Sequence, residues 1–241
     1  MLQSVITRSV AAVALVVPFA CAQSSFSVEG DLVSRYVWRG FTYGNGAAFQ
    51  PSVSYSARGV TLAAWSNMPL AREPQRGRFN QIFFSAGTER EWRSWKLEGT
   101  LQGYHWQGAG GEGGVTTLEL AGRVSRAVRS VRLFTEHTVD VANYRGSYFV
   151  EGGSEWERQT KRLQWQVRGV IGGGNARFNA AYAGLRQSAV NYAQAGVSAK
   201  APLRRNWYLR PHAEITGVLD GAIRGPAGSG NVFSAGVAAG F

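Results

Sequence analysis

From Phe26 the chain alternates. Phe26, Val28, Gly30, Leu32, Ser34, Tyr36 and Trp38 fall on one face; Ser27, Glu29, Asp31, Val33, Arg35, Val37 and Arg39 fall on the other. A period of two sends successive side chains to opposite sides, so this stretch predicts a strand with one apolar side and one charged side. Similar segments recur to the last residue, at 26–39, 48–57, 60–67, 79–88, 93–105, 115–124, 131–141, 147–156, 163–171, 190–201, 207–217 and 231–241. No helical period intrudes after residue 22. Ala176 to Leu185 also alternates, weakly, which leaves the strand count open by two.

The connections alternate in length. Short ones fall at 58–59, 89–92, 125–130, 157–162 and 202–206; longer ones, mostly Gly-rich, fall at 40–47, 68–78, 106–114, 142–146, 172–189 and 218–230. Strands of about ten residues, with short turns at one end and longer loops at the other, are the signature of an outer-membrane barrel. The pattern predicts an all-β fold: a transmembrane antiparallel up-and-down β-barrel of about twelve strands, with both termini on the periplasmic side. A soluble sandwich also has short strands and Gly-rich turns. It gives no reason for one face of every strand to stay apolar along the whole chain.

Residues 1–22 have the form of a secretory signal: Arg8, an apolar stretch from Val10 to Phe19, and Ala20-Cys21-Ala22 as the cleavage site. Domain organisation therefore reads as a signal peptide at 1–22 and one barrel at 23–241, located in the bacterial outer membrane. Cleavage would remove the single cysteine, in keeping with an oxidising compartment. The composition agrees: 31 glycines, 7 prolines and 17% charged residues make a charge-poor chain among soluble domains, which run nearer a quarter charged. No apolar run approaches the roughly 18 residues of a membrane-spanning helix.

Aromatic residues mark two levels. Trp92, Trp95, Trp156, Trp165, Trp207, Phe233 and Phe241 are assigned to the short-turn end, and Tyr36, Trp38, Phe49, Trp106, Tyr144 and Tyr148 to the loop end. Rings collect where a bilayer meets water because they combine an apolar body with a polar edge. The final strand ends on Phe241 after outward Phe233, Ala235, Val237 and Ala239, a form that outer-membrane assembly machinery reads.

The formal charge of +11 suggests nucleic acid until the charges are placed. The strand faces put Arg35, Arg39, Lys96, Arg123, Arg132, Arg168, Lys200 and Arg210 inside, against Glu29, Asp31, Glu98, Glu119, Glu136, Asp140, Glu151, Glu155 and Glu214. The lumen is then nearly balanced, and the excess sits at the rims, with Glu89, Glu91 and Glu157 in the short turns. No single basic footprint remains, so nucleic acid is not an expected partner. Outer-membrane lipid is, and the group Arg72, Arg76 and Arg78 is a candidate contact for lipopolysaccharide phosphates, which arginine matches in pairs. The lumen charges either pair into a plug or line a narrow wet pore. Arg35, Arg39, Lys96, Arg123, Arg132, Arg168 and Arg210 are the candidate pore residues, with the carboxylates setting the field.

Catalytic and cofactor signals are weak. Some twelve-stranded barrels are phospholipases with a Ser/His/Asn site on the lipid face. Of the outward histidines His105 and His137, neither has a nucleophile two residues on, where Gln107 and Val139 stand. Gly108-x-Gly110-x-x-Gly113 precedes a strand rather than a helix, so no dinucleotide site follows. Gly172-Gly173-Gly174 reads as a turn. Neither calcium nor zinc spacing is present, and no cofactor is expected.

Asp31 to Asn67 carries Tyr36-Val37-Trp38-Arg39-Gly40, then Gln50 to Tyr55, Gly59, and Leu62 to Asn67. This stretch of 37 residues resembles the opening of the TorF-like porin family of small bacterial barrels. The resemblance implies a small outer-membrane pore and brings no catalytic residue. The expected function is passive diffusion of small polar or charged solutes. The alternative is a closed structural or adhesion barrel whose outer loops bind lipopolysaccharide or a surface partner. Oligomeric state is not set by any of these features.

Overall fold

A computed structural model describes residues 24–44, 46–71, 76–107, 114–225, 228 and 230–241. The signal-peptide stretch, Arg72 and the Gly108–Gly113 loop lie outside the described residues. In chain order the elements are β1 (Ser25–Val33), β2 (Tyr36–Trp38), β3 (Phe41–Tyr43), β4 (Ala48–Ala57), β5 (Val60–Pro69), β6 (Gln81–Trp92), β7 (Trp95–Trp106) and β8 (Val115–Val128). There follow β9 (Val131–Asp140), β10 (Tyr148–Gln159), β11 (Gln164–Gly174), α1 (Ala176–Ala183), β12 (Ala189–Pro202), β13 (Tyr208–Val218), α2 (Gly221–Arg224) and β14 (Asn231–Gly240).

Twelve of the strands form one closed antiparallel barrel, and β1 seals it by pairing with β14 on one side and β4 on the other. Closure leaves no unpaired strand edge, the condition for a β structure in hydrocarbon. Side chains alternate as the sequence predicts. On β7, Lys96, Glu98, Gln102 and Tyr104 point inward, while Trp95, Leu97 and Leu101 are exposed on the outer face. The outer face repeats this with Leu32, Phe84, Leu118, Leu120, Ile171, Ile215 and Phe233. Four of the five short turns place an arginine in the left-handed region: Arg58 (φ +54°), Arg93 (φ +57°), Arg129 (φ +56°) and Arg205 (φ +57°). The short-turn rim is thus basic by construction of its turns.

The structure corrects several boundaries. The first strand ends at Val33 instead of running to residue 39, because Tyr36 to Tyr43 folds back as a separate hairpin, β2–β3. Residues 89–92, 125–128 and 157–159 continue their strands, so Glu89, Glu91 and Glu157 are strand residues rather than turn residues. Gly172-Gly173-Gly174 is not a turn; it ends β11 with a bulge between Gly172 and Gly173. The weakly alternating stretch from Ala176 is helix α1, capped by the Asn175 side chain and closed by Gly184 at φ +71°. Phe233 pairs with Ile215, and it lies towards the loop end rather than the short-turn end.

Candidate channel lumen and its inward-folded loops

The inner half of the barrel is lined by two kinds of wall. On β6 to β11 an ion-pair ladder runs from strand to strand. Lys96 Nζ lies 2.6 Å from Glu89 and 3.3 Å from Glu98. Arg123 reaches Glu98 (3.6 Å), Glu136 (3.9 Å) and Glu155 (2.7 Å), and Arg168 reaches Glu155 (3.5 Å) and Glu151 (3.9 Å). The guanidinium of Arg123 also lies 3.9 Å from the Phe134 ring centroid, and that of Arg168 lies 5.3 Å from it. A cation over an aromatic face gains from the ring quadrupole. A shorter ladder occupies β1 and β13: Arg210 to Glu29 at 2.6 Å, Tyr208 donating to Glu29 at 2.7 Å, and His212 to Asp31 at 3.0 Å. Glu214 accepts from Gln194.

The wall made by β4, β5 and β6 is small and mostly uncharged. Ser52, Ser54, Ser56, Thr61, Ala63, Ser85 and Gly87 face inward there. A cavity of about 250 Å³ lies beside it, lined by Thr61, Ser85, Gly87, Glu89, Glu98 and Thr100.

The outer half is filled. The β2–β3 hairpin and α1 both fold into the barrel and meet around Trp38. Its ring packs edge-on against Tyr104 (5.7 Å), Trp106 (5.8 Å) and Tyr182 (5.2 Å). Phe178, on α1, is 1% exposed and lies 4.5 Å from the Phe149 ring. At the hairpin tip Arg39 has φ +51° and Gly40 φ +86°, and a Cβ on Gly40 would come within 2.8 Å of Tyr192. Arg39 makes two parallel bonds to Glu119, Nη1 to Oε1 at 2.9 Å and Nη2 to Oε2 at 2.8 Å. Their side chains are 8% and 2% exposed. Two-pronged pairing of this kind is stronger and more directional than a single contact. Burial holds the hydroxyls of Tyr43 and Tyr182 well above the ordinary phenol range, so both stay neutral beside this pair.

Of the residues expected to line a pore, Glu29, Asp31, Lys96, Glu98, Glu119, Arg123, Arg132, Glu136, Asp140, Glu151, Arg168, Arg210 and Glu214 sit on inward strand positions. Two of these are not wet. Glu119 is sealed by Arg39, and Asp140, 1% exposed, accepts from Thr117 and from the backbone of Ala142 and Tyr144, so it caps the 141–147 loop. Arg39 reaches the lumen through the hairpin, not a strand. Arg35 lies in the bend between β1 and β2, and neither it nor Arg132 joins an ion pair among the described residues. Arg76 and Arg78 are exposed.

Tyr36, Trp38 and Trp106 belong to the interior and not to a membrane belt. The overlooked signal is the symmetry of Tyr36, Trp38, Phe41 and Tyr43 about Arg39-Gly40, which marks a hairpin with a glycine in its turn. Both outward histidines have a hydroxyl partner on the neighbouring strand, a relation that spacing along one strand hides, and His137 Nε2 also lies 3.3 Å from Thr135 Oγ1 on its own strand. His105 Nδ1 is 2.8 Å from Thr116 Oγ1, and His137 Nδ1 is 2.5 Å from Tyr148 OH.

No protein-family model matches the chain, and no curated protein does. Among solved structures the chain is similar to a KdgM porin, at 10% identity over 89% of this chain and 98% of the other, with a TM-score of 0.54. It is also similar to a NanC porin, at 10% identity over 90% of this chain and 98% of the other, with a TM-score of 0.53. The likeness is one of fold: a twelve-stranded closed barrel of the outer-membrane porin kind.

Proposed function

We propose that this protein is an outer-membrane porin-like channel for passive diffusion of small polar or charged solutes, with the β2–β3 hairpin and α1 forming its narrowest part. The observation that carries the reading is the direction of the inner ion pairs. Each joins positions on one strand or on neighbouring or next-neighbouring strands, and among the described residues none of them spans the barrel. A cross-linked plug would span the barrel. The ladder residues are also partly open, with Glu98 at 29%, Arg123 at 20% and Arg168 at 39% side-chain exposure. Such an arrangement keeps charge in contact with water and tunes ion passage electrostatically.

The resemblance of Asp31–Asn67 to the TorF-like porins supports the same reading, and the fold shared with two proteins named as porins agrees with it. In this reading Phe241 serves assembly into the membrane. His105 and His137 are read as polar contacts on the lipid face, His105 meeting Thr116 through Nδ1 and His137 lying between Tyr148 at Nδ1 and Thr135 at Nε2. The packed outer half favours a second reading, a closed barrel acting through its loops. Single-channel recording of the refolded protein in a planar bilayer under a salt gradient separates the two. Conductance steps with a measurable reversal potential are expected; silence from verified folded, inserted protein overturns the channel reading.

A further inference from the structure

Arg145, Arg177 and Arg186 line a single cavity of about 630 Å³ at the loop end, between the 141–147 segment and the exposed side of α1. All three are exposed, and among the described residues none is paired with a carboxylate. Arg177 spends one bond on the carbonyl oxygen of Arg145, at 3.3 Å, which holds the two side by side. Three like charges around one hollow repel one another unless an anion joins them. Guanidinium groups match phosphate oxygens in geometry as well as charge.

Directly against this hollow, on the lipid-facing side, runs an apolar trough of about 620 Å³ whose walls include Val150, Gly152, Ile171, Gly173 and Val190. The two are continuous along the chain: Ser147 lines the first and Tyr148 the second, and Asn175 lines the second and Ala176 the first. Gly152 and Gly173 make the trough by presenting bare backbone on the outer face. A cationic hollow joined to an apolar trough on a surface turned to hydrocarbon has the shape of one amphipathic ligand.

We propose that this composite site binds one phosphorylated glycolipid of the outer leaflet, with a phosphate among Arg145, Arg177 and Arg186 and an acyl chain along Gly152 and Gly173. The site is separate from Arg76 and Arg78 and lies outside the lumen. It rests on the reading of this barrel as an outer-membrane protein whose long loops face outward.

The test is native mass spectrometry of the refolded protein in detergent with bisphosphorylated lipid A, dephosphorylated lipid A, or inorganic phosphate. One bisphosphorylated lipid per chain is expected to be retained, at least tenfold more than the dephosphorylated form. The double variant Arg145→Ser/Arg186→Ser and the trough-filling Gly152→Leu should each cut retention at least tenfold. A Cβ at Gly152 has its nearest neighbour at 3.9 Å, so the barrel has room for the change. Equal retention of the dephosphorylated lipid, or retention unchanged in both variants, overturns the proposal. Inorganic phosphate displacing the lipid at equal concentration overturns the lipid assignment as well. Conductance of both variants should equal that of the parent, so failure to hold lipid would leave the channel reading standing, and a silent parent that holds lipid would sink the channel alone.

Discussion

Arg39 and Glu119, 80 residues apart, meet inside the barrel through two parallel hydrogen bonds of 2.9 and 2.8 Å, where water scarcely reaches either side chain. The guanidinium also lies 4.6 Å from the Trp38 ring centroid and 4.9 Å from that of Phe149. This contact ties a hairpin with no other strand partner to the barrel wall.

Breaking the pair from one side should therefore be costly. Arg39→Ala leaves the Glu119 carboxylate buried and alone, a loss of about 3–5 kcal/mol. Glu119→Ala strands Arg39 in the same way, and the double variant should recover much of the loss because no uncompensated charge remains. Denaturant midpoints of the three variants, combined as a double-mutant cycle, check this. Additive losses would mean that the pair is not coupled.

Replacing residues 36–43 by a short Gly-Ser linker should leave the barrel intact, since β2 and β3 pair only with each other. The channel reading expects single-channel conductance to rise severalfold when this filling is removed. Conductance equal to that of the parent, in a folded variant, would place the constriction elsewhere.

Ion preference follows from where the charges came to rest. Setting aside the sealed Arg39–Glu119 pair and buried Asp140, the inner face holds ten carboxylates, now including Glu89, Glu91 and Glu157, against Lys96, Arg123, Arg132, Arg168, Lys200 and Arg210. The reversal potential should indicate a modest cation preference, deepened by Arg168→Glu and reduced by Glu98→Gln. If neither variant moves the reversal potential, the ladder lies off the conducting path.

Two glycines on neighbouring parts of the wall should respond in opposite ways. A Cβ on Gly153 would stand 2.3 Å from the Gly169 carbonyl oxygen and 2.8 Å from the Phe134 ring, whereas one on Gly122 would meet nothing within 4 Å. Gly153→Ala should lower the thermal midpoint of the folded barrel by several degrees. Gly122→Ala should not, and equal midpoints would show that the Phe134 region yields easily.

The period-two alternation and the two classes of connection determine an antiparallel barrel of about twelve strands and its two faces, because a strand face is a local property repeated every second residue. Fifteen of the seventeen charges assigned to the lumen come to inward strand positions for that reason. What fills the barrel is decided by the tertiary structure alone. Tyr36 and Trp38 continue the alternation of β1 without a break in hydrophobic pattern, yet the chain reverses at Arg39-Gly40 and takes them inside. There Trp38 packs on Tyr104, Trp106 and Tyr182, Tyr36 packs on Tyr43 and Trp65, and Arg39 finds its carboxylate on β8. Likewise α1 has a face for Phe178 and Tyr182 only because the barrel supplies Phe149 and Trp38 opposite. Contacts of this range depend on which strands closure brings together, and no spacing along the chain records them.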